Sequence, residues 1–525
     1  MVFPVQASKD KQHTFRKVIN KMKNTKLKVL GCGALLATLL TSCGTTPLDA
    51  ERPVDMNADT SGVTIDWWTG FGEDIKDNLE NELIPAFKEA TGIEIVHTSK
   101  GGYDNLQKAV NLGAGQRTYP NICVGYPDHF ASYIASNMQL RLDPYFRDDP
   151  DGAAYEADLY PSYMEENRQL EFKEDGTGYI LGVPFNKSTE VLVYNEDFFN
   201  SPIAQGWGIT KVPETWDEIE TYGEIAVRNL TPHFGKIIGT DGNDYTKESD
   251  LPEGVKVWLN LTSATADTFF FLGYDSTSNL FISALRQWGG KYTEIDTSNG
   301  LGYAVYNNPQ TVEMLTFMDR LASKHILAIP ASFGGTSLYC SDYYKVYQCL
   351  MNVGSSAGLG HYTAPTLKSS SGVTAVPYKD ADHKYVISQG TNLAMLNKGS
   401  DVEVLASWKA LKYLTTGEAN GLFCALTGYY PATKSAYNSE TYQSFLNARP
   451  SDENDANKKK AAKANSEIYD AEGSGWHKFV DVGFNGSSVI RTEVGNLISS
   501  VLLTDTDIQT LINQSYDAIS NYVRK

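Results

Sequence analysis

The sequence lacks the short motifs that mark common metal and cofactor sites. It has no His-Glu-x-x-His zinc motif, no Cys-x-x-Cys pair and no Walker phosphate-binding loop, and its 8 histidines are scattered singly. We therefore expect no metal and no cofactor, and we expect a binding protein rather than an enzyme. The paired carboxylates of a glycoside hydrolase are brought together only by folding, so a glycan hydrolase stays open as an alternative.

Positive charge is also scarce. The 525 residues include 63 Asp and Glu but only 45 Lys and Arg, which gives a formal net charge of −18. Binding to nucleic acid requires a basic surface that neutralises phosphates, so we expect no nucleic-acid partner. The apolar fraction of 41% is that of a folded globular protein, and the length predicts at least two domains.

The N-terminus has the pattern of a bacterial lipoprotein signal peptide. Lys21, Lys23, Lys26 and Lys28 stand just before the apolar run Val29–Leu40, whose 12 residues are too few to span a membrane but suit a signal peptide. The run leads into Leu40-Thr41-Ser42-Cys43, a small-residue cleavage site followed by a thiol that can carry diacylglycerol. We predict that residues 1–42 are removed and that Cys43 anchors the protein outside the cytoplasm to the cell membrane. Residues 43–62 are expected to form a flexible tether.

Strands and helices alternate after the tether. Val63–Trp68 is a predicted strand, and Asp74–Ala90 repeats apolar residues every four positions, as an amphipathic helix does. Such alternation indicates βαβ units and a mostly parallel sheet, whose ligands bind beyond the carboxyl ends of the strands. Three segments at or after predicted strand ends are expected at this edge: Trp67–Trp68, Gly101–Tyr103 and Tyr126–Asp128.

The central stretch Gly182–Phe199 carries polar residues directly before a strongly apolar strand. Asn186-Lys187-Ser188-Thr189 precedes Val191–Tyr194, and Asn195 begins a predicted helix. Further motifs follow along the chain: a helix start with a capping box at Pro213–Ile219, a serine-rich turn at Gly354–Gly358, an apolar strand at Val386–Leu396 and a turn at Thr427–Pro431.

These motifs, in this order, resemble the extracellular solute-binding proteins of ABC transporters, family 1, in the branch that binds sugars and glycerol phosphate. The resemblance implies an α/β fold of the periplasmic-binding-protein type II: two lobes, each a mostly parallel sheet flanked by helices, joined by a hinge. We expect residues 63–187 with 385–428 to form lobe 1, and residues 188–384 with 429–525 to form lobe 2.

The function implied is capture of a carbohydrate or glycerol-phosphate-type solute between the lobes and its delivery to ABC permease subunits. A monomer is expected. The alternatives to this function are a surface lipoprotein that hydrolyses glycans and an adhesin.

The resemblance also implies ligand contacts, among which an arginine with nearby backbone N–H groups would suit a phosphate. One departure concerns the acid that the glycerol-phosphate branch carries directly after a tyrosine. Here Pro127 separates Tyr126 from Asp128, so the acid is shifted by one position. The predicted ligand-binding residues are Tyr103, Asp128, Ser188, Ser356, Gly390, Tyr429 and Arg491.

Two features of the mature chain stay open at this stage. Cys123, Cys340, Cys349 and Cys424 allow three disulfide pairings outside the cytoplasm, although the apolar neighbours of the first and last favour buried thiols. The lysine-rich segment Ala448–Gly475 is predicted to be a solvated insertion.

Overall fold

The computed structural model describes residues 50–296, 301–364, 367–480 and 482–523. The predicted signal peptide, the anchor Cys43 and the first part of the tether lie outside the described residues. None of the described helices is long and apolar enough to cross a membrane. The strands are β1 Thr64–Thr69, β2 Glu94–Ser99, β3 Ile122–Gly125, β4 Val183–Asn195, β5 Ile237–Gly239, β6 Asp244–Tyr245, β7 Val257–Asn260, β8 Phe270–Tyr274, β9 Thr293–Asp296, β10 Leu301–Ala304, β11 Leu327–Ala328, β12 Cys349–Ser355, β13 Ser371–Thr374, β14 Tyr385–Met395 and β15 His477–Phe479.

Helices lie between most of these strands and form the C-terminal part of the chain. The α-helices are α1 Glu73–Asn78, α2 Ile84–Thr91, α3 Tyr103–Leu112, α4 Pro127–Ala135, α5 Asp143–Asp148, α6 Gly152–Asp158, α7 Pro161–Glu165, α8 Glu196–Phe199, α9 Pro202–Gly206, α10 Trp216–Leu230, α11 Thr277–Gln287, α12 Pro309–Ser323, α13 Ser341–Tyr344, α14 Asp401–Thr415, α15 Gly417–Thr427, α16 Lys434–Tyr437, α17 Glu440–Asn447, α18 Glu453–Ala464, α19 Ser487–Leu503 and α20 Ile508–Ala518.

Local sequence explains several of these elements. The predicted helix over 74–90 forms as α1 and α2, joined by one π-helical turn at Leu79–Leu83. Pro85 accounts for the wide turn, because it lacks an N–H and its ring presses on the carbonyl four residues earlier. The predicted capping box is confirmed at the start of α10, where Thr215 Oγ1 accepts from Glu218 N at 3.2 Å.

Strands β4 and β14 cross the middle of one long sheet. The sheet order is β11-β8-β12-β4-β14-β3-β1-β2. The three strands at each end run parallel to one another. In the middle, β4 and β14 pair antiparallel with each other, and β4 pairs antiparallel with β12 and β14 with β3. Residues 183–189 of β4 pair with β14, and residues 190–194 pair with β12. The chain therefore passes from one half of the sheet to the other within β4.

Two separate hydrophobic cores lie over the two halves of this sheet, and β4 and β14 contribute to both. The first core contains Trp67, Phe185 and Trp408, and the second contains Trp216 and Leu272. Helix α17 lies beyond the predicted limit of lobe 1 at residue 428, yet its Tyr442 still contributes to the first core. The exact division of the chain between the lobes stays a prediction.

The segment 448–475 is not simply solvated, which corrects the prediction from its lysines. Its helix α18 buries Ala461, and the hydroxyl of Tyr430 donates to the Ala461 carbonyl at 2.5 Å. Lys459 is only 6% exposed, because its stem packs inward while its Nζ contacts Asp455 Oδ2 at 2.9 Å. The alternation of alanines with long lysine stems lets the helix cover apolar surface.

The four cysteines of the described chain are free and buried. Burial raises the pKa of the Cys123 and Cys424 thiols, so both stay protonated at neutral pH. The favoured interpretation of these two as buried thiols is confirmed, and the disulfide pairings that were left open do not form.

Candidate functional site

A cavity of about 530 Å³ lies where the two halves of the sheet meet, and we call it the cleft. One wall comes from α3, α4 and the turn at Glu166, and the other comes from α11 and α19. Strand β14 crosses the floor. The side chains and backbone that line the cleft belong to Tyr103, Asp104, Tyr126, Pro127, Asp128, His129, Glu166, Ser276, Thr277, Ser278, Asn279, Tyr292, Ile387, Ser388, Gln389, Gly390, Val480, Val482, Ser487, Ser488, Arg491, Thr492, Gly495 and Asn496.

Four helices point their N-terminal ends at the cleft. Tyr103, Pro127, Thr277 and Ser487 are the first residues of α3, α4, α11 and α19, and all four line the cavity. The N-terminus of a helix carries a partial positive charge and N–H groups without partners inside the helix. The cleft is therefore suited to a ligand that carries negative charge or many acceptor oxygens.

The charged side chains divide the cleft into two chemically different walls. Asp104 and Asp128 lie on the wall of α3 and α4, in the first turn of each helix. The opposite wall carries Arg491 and a group of hydroxyl side chains, and the lining of that wall that the structure describes includes no carboxylate. The hydroxyls are those of Ser276, Thr277, Ser278, Ser487, Ser488 and Thr492.

Four of the seven predicted contact residues line the cleft: Tyr103, Asp128, Gly390 and Arg491. Asp128 reaches it despite the shift caused by Pro127, because it stands in the first turn of α4 and its side chain stays 15% exposed. The predicted placement of Gly101–Tyr103 and Tyr126–Asp128 at this edge agrees with the cleft lining.

Trp67 and Trp68 are absent from the described lining. Strand β1 continues to Thr69, so both tryptophans lie inside the strand. Trp67 is fully buried in the first core, and the ring of Trp68 is covered by Lys100 Nζ at 3.5 Å from its centroid. The expectation for these two residues was wrong because the strand, although it has the predicted length, begins and ends one residue later than its sequence pattern indicated.

The tyrosines of the cleft form a group that is half shielded from solvent. The rings of Tyr103 and Tyr126 meet edge to face with centroids 5.2 Å apart, and Asn186 Nδ2 donates to the Tyr103 hydroxyl at 3.4 Å. Tyr429 lies behind them, stacked on Phe423, and is not part of the described lining. Burial raises the pKa of Tyr103, Tyr126 and Tyr429, so their hydroxyls are neutral hydrogen-bonding groups.

Gly390 is required where β14 passes β4. Its φ is +92°, and a Cβ built there would lie 1.9 Å from the Asn186 carbonyl oxygen. Ser188 pairs with Gln389 in the same ladder and is 5% exposed. The cleft lining that the structure describes includes Gly390 but not Ser188, so a ligand contact by Ser188 stays a prediction.

Ser356 is also outside the described lining of the cleft. It is 1% exposed, and its Oγ accepts from Thr189 N at 3.2 Å. The turn Gly354–Gly358 has the Gly-x-Ser-x-Gly spacing of a hydrolase nucleophile, a match that our sequence analysis missed. No described histidine or carboxylate hydrogen-bonds to this hydroxyl, so the turn lacks the base that such a nucleophile needs.

Sequence reasoning missed the residues that support Arg491. Its Nη2 donates to Asn279 Oδ1, and Asn279 Nδ2 donates to Glu190 Oε1 at 3.0 Å. The Tyr274 hydroxyl donates to Glu190 Oε2 at 2.6 Å. Burial raises the pKa of Glu190 to about 7, although its hydrogen bonds oppose the rise. The only sequence signal was an acidic residue directly before the apolar run Val191–Val193.

Two polar atoms of the cleft lining are buried without a hydrogen-bond partner among the described residues: His129 Nδ1 and Ser388 Oγ. Buried polar groups are normally paired, so these two atoms are exceptions in the wall of the cleft. No group of three or more metal-ligating side chains occurs in the part of the chain that the structure describes.

Comparisons with known proteins agree with this architecture. The family model of the bacterial extracellular solute-binding proteins matches residues 82–450. The sn-glycerol-3-phosphate-binding periplasmic protein UgpB of Escherichia coli (strain K12) is 23% identical over 398 residues, which are 74% of this chain and 78% of the relative.

Solved structures with sequence identities this low establish the fold alone. UgpB from Mycobacterium tuberculosis, in complex with glycerophosphocholine, superposes with a TM-score of 0.63 at 16% identity and covers 87% of this chain and 98% of its own. MalE from Bdellovibrio bacteriovorus, bound to maltotriose, gives a TM-score of 0.59 at 16% identity and covers 87% and 99%.

The fold is that of the two-lobed solute-binding proteins, as expected. The chain belongs to the family of bacterial extracellular solute-binding proteins. Both the predicted α/β fold and the family are thereby confirmed, whereas the ligand contacts of individual residues stay predictions.

Proposed function

We propose that this protein is the solute receptor of an ABC importer and that it binds a glycerol-phosphate-type compound in the cleft. The observation that supports this class of ligand is the division of the cleft into two walls. Arg491 and the N-terminal ends of α11 and α19 offer donors and positive charge to a phosphate. Asp104 and Asp128 accept hydrogen bonds from hydroxyl groups, or face a cationic headgroup, on the opposite side.

A neutral carbohydrate is the second candidate, and the tyrosine pair favours it. Tyr103 and Tyr126 offer aromatic surface to the C–H face of a sugar ring, beside carboxylates that can bind its hydroxyls. The two candidates differ in charge, so they differ in their dependence on Arg491. The protein acts in either case by binding and release, without chemical conversion of the solute.

Delivery completes the proposed function. Closure of the two lobes around the solute would present it to permease subunits in the membrane, and the diacylglycerol on Cys43 would keep the monomeric receptor close to them. Closure would occur where β4 and β14 cross between the lobes.

A thermal-unfolding screen followed by titration calorimetry tests the proposal. The panel contains glycerol-3-phosphate, glycerophosphocholine, maltose, maltotriose and inorganic phosphate. A true ligand at 100 times its Kd should raise the free energy of unfolding by about 2.7 kcal/mol. Stabilisation by the two glycerol-phosphate compounds alone supports the first candidate, and stabilisation by the sugars alone supports the second. Release of new products from the panel would support the hydrolase alternative instead.

A further inference from the structure

A buried carboxylate lies one hydrogen bond behind the wall of the cleft. Glu190 stands in the middle of β4 and is 1% exposed. Its Oε2 accepts from the Tyr274 hydroxyl at 2.6 Å, and its Oε1 accepts from Asn279 Nδ2 at 3.0 Å. Asn279 lies in the first turn of α11 and lines the cleft. Glu190 itself is not among the described lining residues, so it influences the cleft through Asn279.

Asn279 has two partners that together fix the orientation of its amide. Because its Nδ2 donates to Glu190, its Oδ1 is turned toward Arg491, whose Nη2 donates to that oxygen. An amide flipped by half a turn would place its NH₂ group against the guanidinium, which has donors only, and its oxygen against the carboxylate. Glu190 therefore selects the orientation of Asn279 that can hold Arg491.

We propose that Glu190 is a positioning residue of the solute site, which acts through Asn279 to hold Arg491 in the orientation that meets an anionic group of the ligand. This inference rests on the proposed function, since it takes Arg491 to contact the solute. It adds a residue that does not touch the ligand and that no motif of the sequence assigns to the site.

The charged and titratable groups around Glu190 predict how binding depends on pH. Tyr274 and Asp275 face it from the end of β8, Arg491 from α19, and the Tyr469 hydroxyl donates to its backbone carbonyl at 2.8 Å. Burial raises the pKa of this carboxyl to about 7. A bound anion adds negative charge and engages Arg491, which raises the pKa of Glu190 further. Binding should therefore take up protons, and the affinity for an anion should rise as pH falls from 8 to 6.

The test compares Glu190→Leu, Glu190→Gln and the wild type by titration with glycerophosphocholine, whose phosphodiester keeps one negative charge over this pH range. Leucine removes the acceptor for Asn279, and we expect about tenfold weaker binding, equivalent to about 1.4 kcal/mol. Glutamine keeps an acceptor for Asn279 but carries no charge. Glu190→Gln should therefore bind with the affinity that the wild type has at pH 6, and its affinity should stay constant up to pH 8.

Asp275→Asn is the matched control. Asp275 is a second, half-buried carboxylate beside Glu190, but it accepts from Asn352 Nδ2 and Cys340 N, and no hydrogen bond of the described residues joins it to Asn279. Its variant should bind glycerophosphocholine as the wild type does at pH 6. A loss equal to that of Glu190→Leu would show a general effect of charge removal and would overturn the proposal.

Three further outcomes are decisive. Equal affinities of Glu190→Leu and the wild type for glycerophosphocholine would contradict the proposal. So would a pH dependence of the affinity of Glu190→Gln that equals that of the wild type. If Glu190→Leu does not fold, the measurement on Glu190→Gln still decides. Crystal structures of the ligand-free wild type and Glu190→Leu separate this inference from the proposed function. Loss of the Asn279–Arg491 contact in the variant supports positioning even if the wild type binds no anion, whereas a retained contact rejects it.

Discussion

The Nζ of Lys187 lies 2.5 Å from Oε1 of Glu166, and the two side chains are 0% and 2% exposed. The same ammonium donates to the Gly390 carbonyl at 3.1 Å. Lys187 stands on β4, Gly390 on β14, and Glu166 lines the cleft. This buried ion pair therefore joins both crossing strands to the cleft wall.

Breaking this pair should be costly because one charge would stay buried without its partner. We expect Lys187→Met to lower the free energy of unfolding by about 3–5 kcal/mol, and the double variant with Glu166→Leu to recover most of the loss. Urea denaturation measures both. The exposed pair of Lys211 and Glu218 is the control, and Lys211→Ala should leave stability nearly unchanged. Equal losses in the single and double variants would contradict the prediction.

Gly390→Ala should disturb the crossing itself. The positive φ and the 1.9 Å approach of its Cβ to the Asn186 carbonyl leave no room for alanine without a backbone shift. We expect a destabilisation of at least about 1 kcal/mol together with weaker solute binding. Gly115→Ala is the control, since its Cβ would have no atom within 4 Å and its φ is not positive. Unchanged melting temperature and affinity in Gly390→Ala would show that glycine is not required at this position.

Arg491→Ala should separate the two candidate ligands. Loss of a hydrogen bond to a charged group predicts binding of glycerol-3-phosphate weaker by about 1.5–3 kcal/mol. Titration calorimetry with the variant and with Arg147→Ala, an exposed arginine paired with Asp148, gives the comparison. A loss limited to maltose would favour the carbohydrate candidate, and equal affinities would remove Arg491 from the site.

Glu190 should also make stability fall as pH rises. Its pKa is raised from 4.5 to about 7 in the folded protein. Its contribution to the free energy of unfolding is therefore full below pH 4.5 and is lost as pH rises through 7. The loss is on the order of 3 kcal/mol at pH 8. Glu190→Gln has no such group, so its stability relative to the wild type should rise between pH 5 and pH 8 in urea denaturation. A constant difference across this range would show that Glu190 keeps an ordinary pKa.

Cys43→Ala tests the anchor independently of the cleft. If Cys43 carries diacylglycerol, the variant is either released from membranes or retains its signal peptide. Fractionation with mass spectrometry of the N-terminus distinguishes the outcomes. Membrane-bound variant protein with a mature N-terminus would show that the anchor lies elsewhere.

Sequence alone determined the elements that depend on neighbouring residues. Apolar periodicity identified α1 with α2, and the Thr215–Glu218 capping box identified the start of α10. The β-branched run Val191–Tyr194 identified only the second part of β4, which also includes the polar residues 186–189 that were predicted to precede it. Motifs in family order identified the fold. The periodicity, the capping box and the β-branched run each lie within a few residues of the element that they produce, so they can be recognised without knowledge of the packing.

Only the tertiary structure decided which polar groups meet in the cleft. Glu190 and Asn279 are 89 residues apart, and Asn279 and Arg491 are 212 residues apart. Their contacts depend on the register of β4 against β12 and on the packing of α11 beside α19. The same is true of Lys187 and Glu166, and of α18, whose lysines suggested solvent but whose alanines are buried. A hydrogen bond or buried ion pair between distant residues leaves no periodicity in sequence, because its geometry is set by how the strands and helices pack.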